Sequence, residues 1–221
     1  MDSSDRVDTK GSNPKRPEFL LHMYDQMFND INTHILVVWQ SVSVLVGAFA
    51  ILALTEKQVI TLDVATALII LIAAWLIGHL YDASYWYNRN LVIIANIERQ
   101  FLETSDLVQI HYYFGKHRKK GTMITHLRIQ YCLSLGIGLV VLSFHFFTRV
   151  LPGFSLPISG FEPVRTLPYL ILIPALWALR SLKRQRDQAY AEFVGNSPGK
   201  VIDTEGITFG VGHPSDAQQK T

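Results

Sequence analysis

Long uncharged apolar runs alternate with polar, charge-bearing segments along this chain. Three runs, about residues 34–54, 62–81 and 127–148, contain the twenty or so residues that a helix needs to cross a bilayer. A fourth, about 166–182, is shorter: it lies between Arg165 and Arg180 and includes Pro168 and Pro174. Arginines that snorkel at both ends lengthen such a segment, so it is expected to cross as well. A re-entrant segment is the alternative.

The apolar pattern does not stop with the second run. Residues 81–101 read YDASYWYNRNLVIIANIERQF, with no glycine or proline before Gly115. The tyrosines and Trp86 suit a membrane interface. At 100° per residue, Tyr87, Leu91, Ile94, Ile97, Phe101 and Leu102 share one face, while Asn88, Arg89, Asn96, Arg99, Gln100 and Glu103 share the other, with Val92 and Ile93 blurring the division. A helix over 62–104 would be roughly 64 Å long, so more than half of it projects beyond the bilayer. An apolar face on a projecting helix predicts a packing partner. The stretch RPEFLLHMYDQMFNDINTH, with Phe19, Leu20, Met23, Tyr24, Met27, Phe28 and Ile31 in a stripe, is one inside the chain. A second copy is another. The segment RSLKRQRDQAYAEFV offers a third helix for a small bundle.

Charge orients the spans. Of the 20 Lys and Arg, 17 fall in the two tails and in the segment between the second and third runs. Four spans with both termini cytoplasmic place those charges inside, as the positive-inside rule requires. Lys57, Arg149 and Arg165 then lie outside. The basic cluster Lys116, Arg118, Lys119 and Lys120 reads as a headgroup-facing topology signal. The expected organisation is a disordered tail over 1–16, an amphipathic helix with the first span pair and its extension over 17–114, and a basic linker over 115–126. The second span pair with a helical end (127–194) and a flexible tail (195–221) follow.

Composition narrows the function. The chain of 221 residues is 49% hydrophobic with a formal charge of +2, which gives no case for nucleic acid binding. Cys132 is the single cysteine, so no disulfide framework or cysteine-zinc site is available. Residues 1–18 are polar and carry both charge signs, unlike a signal peptide. No catalytic motif is present, which points away from an enzyme. The spans hold no charged side chain at mid-depth; Gln40, Ser41, Ser43 and Thr66 are the polar groups near the middle of the first two. Ser43/Gly47, Ala74/Gly78 and Ser134/Gly138 are small-xxx-small pairs that permit close helix approach. His34, His79 and His126 share one expected depth, which leaves haem or metal binding as a lesser alternative. No cofactor is assigned.

Asn90 and Glu98 are polar positions on the otherwise apolar face of the extension. Glu98 is read either as a rim charge beside Arg99 or, with Asn90, as a register-fixing pair between packed helices. The spacing of Trp86, Asn90, Ile94, Ile97 and Glu98 after two close spans resembles that of small bacterial membrane proteins of the SLATT and RipA-like kind. The likeness covers residues 19–105. It implies an oligomer-forming span pair and, for SLATT proteins, a membrane-perturbing effector role. The expected fold is thus all-α, with four transmembrane helices and a small cytoplasmic bundle. The expected function is a non-enzymatic, self-assembling inner-membrane protein of effector or channel-like type, with Trp86, Asn90, Leu91, Ile94, Ile97, Glu98 and Phe101 at the packing interface. A membrane-anchored adaptor for a cytoplasmic protein partner is the alternative.

Overall fold

Four long helices make up the fold, and no strand occurs among the described residues, which are 14–102, 106, 121–155, 160 and 162–198 of a computed structural model. They are α1 (Arg16–Glu56), α2 (Leu62–Glu98), α3 (Thr125–His145) and α4 (Leu167–Gly195). A π turn (Phe146–Val150) and a 3-10 turn (Leu151–Ser155) continue α3, and a second 3-10 turn (Pro163–Thr166) leads into α4. The tails at 1–13 and 199–221, and the basic cluster Lys116, Arg118, Lys119 and Lys120, lie outside the described residues.

The amphipathic stretch and the first apolar run form one helix of 41 residues, about 60 Å long. No proline follows Pro17 in the first turn, and no glycine comes before Gly47, so nothing between them interrupts the hydrogen-bond ladder. The turn into α2 is specified by its backbone. Gln58 N–H bonds to Thr55 O at 3.0 Å and Val59 N–H to Leu54 O at 3.0 Å, the paired bonds of a Schellman cap. Gln58 sits at φ 58°, the left-handed position that glycine fills most cheaply. Thr61 then caps α2, its Oγ1 accepting from Val64 N–H at 3.3 Å.

α2 is the axis of the molecule and packs along α1, α3 and α4. Its core residues Ile69, Leu76, Leu80 and Ile94 are all at most 1% exposed. Three apolar clusters follow one another along it: Ala48, Ile69 and Val141; then Val38, Leu76, Leu80 and Leu127; then Ile31, Leu91 and Ile94. Burial of one such isoleucine contributes about 2–3 kcal/mol. Two of the small residues serve this packing: a Cβ at Gly78 would lie 3.5 Å from Leu182 and 3.7 Å from Leu179, and one at Gly138 would lie 3.8 Å from Ile70. A Cβ at Gly47 would meet nothing within 4 Å.

Three-sided packing changes the expected division of the α2 extension. Asn88, assigned to the polar face, is fully buried, and so are Val92 and Ala95. A helix with neighbours on several sides has no free polar face. The helix also ends at Glu98 rather than near residue 104. The amides of Phe101 and Leu102 both turn back to Glu98 O, at 3.0 and 2.8 Å. α1 begins opposite this point, where Arg16 donates to Gln100 Oε1 at 3.1 Å, so further turns of α2 would have no α1 to pack on.

α4 runs parallel to α2 and carries the fourth apolar run straight into the C-terminal extension, through Pro174. It buries only Pro168 and Tyr190. Among the described residues, two helical stretches, Leu62–Glu98 and Thr125–Phe154, are long and apolar enough to cross a membrane.

Candidate functional site

The residues singled out on the α2 extension lie in a bundle formed with α1 and α4. Leu91 and Ile94 pack on Ile31, with Tyr24, Met27, Phe28 and Tyr87 around them, and Ile97 is buried nearby. The Trp86 indole lies parallel to the His34 ring, 6.3 Å between centroids. Arg89 reaches over both Trp86 (5.0 Å) and Phe193 of α4 (5.4 Å), joining two helices by cation–π contacts. Asn90 is buried at 2% exposure, whereas Phe101 is exposed beyond the end of the helix. Asn96 ties α2 to the end of α4 by donating to Ser197 Oγ at 2.8 Å.

Glu98 is held from across the helix pair: its Oε1 accepts from the Tyr24 hydroxyl of α1 at 3.2 Å. Its Oε2 is buried with no hydrogen-bond partner among the described residues. Burial raises its carboxyl above the ordinary range, against the opposing pull of the Tyr24 hydrogen bond and the nearby Arg99.

At the opposite end of α2 the structure assembles a polar cluster that helix-by-helix reading missed. Asp63, in the first turn of α2, has no exposed side-chain surface. His145 Nε2, equally buried, is 2.8 Å from Asp63 Oδ1, and Arg149 donates through Nε to Oδ1 at 3.4 Å and through its terminal nitrogen to Oδ2 at 3.2 Å. The other ring nitrogen of His145 is 3.2 Å from the Tyr169 hydroxyl of α4. Arg149 also reaches Glu162 at 3.0 Å, and Arg165 grips Glu162 with contacts of 2.7 and 3.0 Å. Arg165 and Arg149 hold the Glu162 carboxyl below its ordinary range. Carboxylate, imidazole and phenol thus join the starts of α2 and α4 to the end of α3. The negative charge also sits at a helix N-terminus, where the macrodipole favours it. Asp63 and His145 are sealed from solvent, so the cluster fastens helices and offers no open site for a substrate. One signal for it was legible: Asp63 and Arg149 have opposite charge, and the start of one run and the end of the next fall on the same side of antiparallel helices.

α3 adds to this polar character. Its buried residues are Leu127, Gln130, Ser134, Val141 and His145, a stripe with more polar members than apolar ones. Gln130 and Ser134 have buried polar side-chain atoms with no partner among the described residues.

The Tyr85 end of α2 has a different character. A cavity of about 670 Å³ lies between α2, the segment 121–123 ahead of α3, and α4. Arg186 of α4 crosses to Asp82 of α2 at 2.6 Å and lies 5.1 Å from the Tyr85 ring. Asn88 donates through Nδ2 to Ser84 O at 2.7 Å and to Thr122 O at 3.1 Å, so a buried amide holds the segment before α3 against α2. Gly121 permits that approach: a Cβ there would lie 3.0 Å from the Tyr190 ring.

The three histidines weighed as ligands are dispersed among separate contacts. His34 lies against Trp86, His79 packs edge-on to Trp75 at 4.4 Å, and His126 has its Nε2 buried without a partner among the described residues. Among the described residues, no three His, Cys, Asp or Glu side chains are grouped closely enough to hold a metal ion. The side chains of Gln40 and Ser41, and residues His111 and His117, lie outside the described set.

No family model matches the chain, and neither a curated protein nor a solved structure matches it.

Proposed function

We propose that the chain is a non-enzymatic, four-span inner-membrane protein with both termini in the cytoplasm, and that it presents a three-helix bundle to a cytoplasmic protein partner. Four spans are supported by the large apolar side chains left exposed in the apolar part of every helix. Trp39 and Phe49 on α1, Leu71 and Trp75 on α2, Val140 and Phe144 on α3, and Ile173 and Trp177 on α4 are all at least 45% exposed. Exposed apolar surface of that extent on four neighbouring helices suits lipid rather than water. The positive-inside count supports a cytoplasmic position for the bundle.

One observation favours the adaptor over the self-assembling effector. The apolar face of the α2 extension is already covered by α1 of the same chain, through Ile31, Leu91 and Ile94. A face satisfied within the chain no longer calls for a second copy. At the bundle tip, Phe19 and Phe101 remain exposed and supply apolar contacts for a partner.

Detergent-corrected light scattering tests the choice. The expected mass is that of one 25.0 kDa chain. A single closed oligomer would refute the adaptor and restore self-assembly. Topology is tested separately, in a Cys132→Ser background. Val59→Cys should react with an impermeant maleimide on intact cells, and Arg184→Cys only after permeabilisation. The reverse pattern, or equal labelling, would rule out the proposed orientation.

A further inference from the structure

The cavity at the Tyr85 end has a composition that the adaptor role does not use. Its cations are Arg128 of α3 and Lys183 and Arg186 of α4. Lys183 pairs with Asp187 and Arg186 with Asp82, while Arg128 has no acidic partner among the described residues. The tyrosine rings of Tyr81, Tyr85, Tyr131 and Tyr190 form much of the remaining wall. Its volume, about 670 Å³, is that of a site for a molecule of substantial size. The wall therefore sets three cations and one carboxylate, Asp187, beside aromatic ring surface. Such a mixture fits a ligand that is itself divided into an anionic head and an apolar remainder.

We propose that this cavity binds the headgroup of an anionic phospholipid. The phosphate oxygens accept hydrogen bonds from the Arg128 guanidinium and the Lys183 ammonium, and the glycerol region lies against the tyrosine rings. Exposed Ile129 and Leu133, on the same helix as Arg128, offer the acyl chains an apolar surface. Inorganic phosphate has the same anionic chemistry, but it leaves the ring-lined volume unfilled. The inference rests on the four-span reading, because that reading puts the cavity at headgroup depth.

The test is a native mass spectrometric titration of the full chain in detergent with phosphatidylglycerol, phosphatidylcholine and inorganic phosphate. One phosphatidylglycerol per chain should bind in preference to phosphatidylcholine. Each cation near a lipid headgroup is worth about fivefold in affinity, so Arg128→Gln with Lys183→Gln should weaken binding roughly 25-fold. Ala191→Trp, which blocks the cavity and keeps every charge, should also abolish binding, and it covers the case in which the double variant fails to fold. Arg184→Gln removes an exposed cation outside the cavity and should leave affinity unchanged. Equal binding of the two lipids, or full binding by a folded Ala191→Trp chain, would overturn the proposal. So would a loss in Arg184→Gln as large as in the double variant. Displacement of the lipid by an equal concentration of inorganic phosphate would reassign the cavity to a soluble anion. Binding in detergent does not depend on which side of the membrane the bundle occupies. A failed lipid titration is therefore distinguishable from a failed topology assay.

Discussion

Arg149→Gln should destabilise the chain more than Asp63→Asn does, although both changes break the same ion pair. The reason is unequal burial: the Asp63 side chain has no exposed surface, while that of Arg149 is 33% exposed. Removing the guanidinium strands a carboxylate that keeps only His145 as a partner, and a buried charge left without its counter-ion typically costs 3–5 kcal/mol. The layer over Asp63 is thin, because Arg149 itself forms its outer cover, so the lower end applies, about 3 kcal/mol. Asp63→Asn preserves an oxygen for His145 or Arg149 and leaves a cation that retains Glu162 and can turn toward solvent. That change should cost about 1.5–2 kcal/mol, the lower end for a hydrogen bond to a charged group. With both substitutions no isolated charge remains, so the pair should cost about 3 kcal/mol rather than the sum of the two. The coupling of about 2 kcal/mol is read from a double-mutant cycle. Unfolding of the four proteins in mixed micelles, followed by far-UV circular dichroism against added SDS, provides the free energies. If Arg149→Gln costs no more than Asp63→Asn, or if the double variant shows the full sum, the pair is not the buried, charge-compensated unit described.

Ile94 is fully buried in the bundle core, so Ile94→Ala should cost about 2–5 kcal/mol and lower the thermal midpoint, as read by differential scanning fluorimetry. Gln58→Gly, at the left-handed position of the α1–α2 turn, should stabilise by about 0.5–1 kcal/mol in the same assay; a loss would mean that the Gln58 side chain contributes more than its strain costs. For Glu98, burial raises the folded-state carboxyl above its unfolded value, so its contribution to stability is full at acid pH and is lost as pH rises through the raised value. Midpoints of wild type and Glu98→Gln should therefore converge at low pH and separate toward neutrality, with the variant higher; parallel curves would show that Glu98 does not carry the slope. Amide exchange should be faster in α4 than in α2, since α4 buries only Pro168 and Tyr190.

Much of the helical layout was legible in the sequence because apolar runs and the absence of breakers act locally. The second and third runs became α2 and α3 close to the expected limits, and the stripe containing Tyr24, Met27 and Phe28 does face the α2 extension. The end of α2 was not legible. No residue after Glu98 forbids a helix, yet α2 ends there, level with the start of α1. Burial of Asn88 was missed for a related reason: a helical wheel assigns one apolar face, and a central helix has several. The Asp63, His145 and Tyr169 cluster was hidden more deeply. Its members are 82 and 24 residues apart, and each taken alone is a common polar residue near the end of an apolar run. Only the folded arrangement brings them within hydrogen-bond distance.

The manner in which each helix is fastened to α2 follows from the same inventory. α1 is held by a continuous apolar seam, and its polar link through Tyr24 and Glu98 is added at one end. α4 packs along α2 as well but contributes no residue to the three buried apolar clusters. Its attachment comes from separate contacts at successive levels: Tyr169 on His145, the closely packed Gly78 opposite Leu179 and Leu182, Arg186 on Asp82, and Ser197 on Asn96. An apolar seam is indifferent to salt and pH and resists sliding through interlocked side chains. A series of hydrogen bonds and ion pairs is directional and exchanges readily with water or competing ions. The cavity lies between α2 and α4, beside the Arg186–Asp82 pair, at the interface held by the second kind of contact. A phosphate entering there competes with Asp187 for Lys183, whereas it has no group with which to disturb the α1 seam. Occupancy of the cavity therefore bears on the placement of α4 and leaves the α1–α2 pair as a fixed frame.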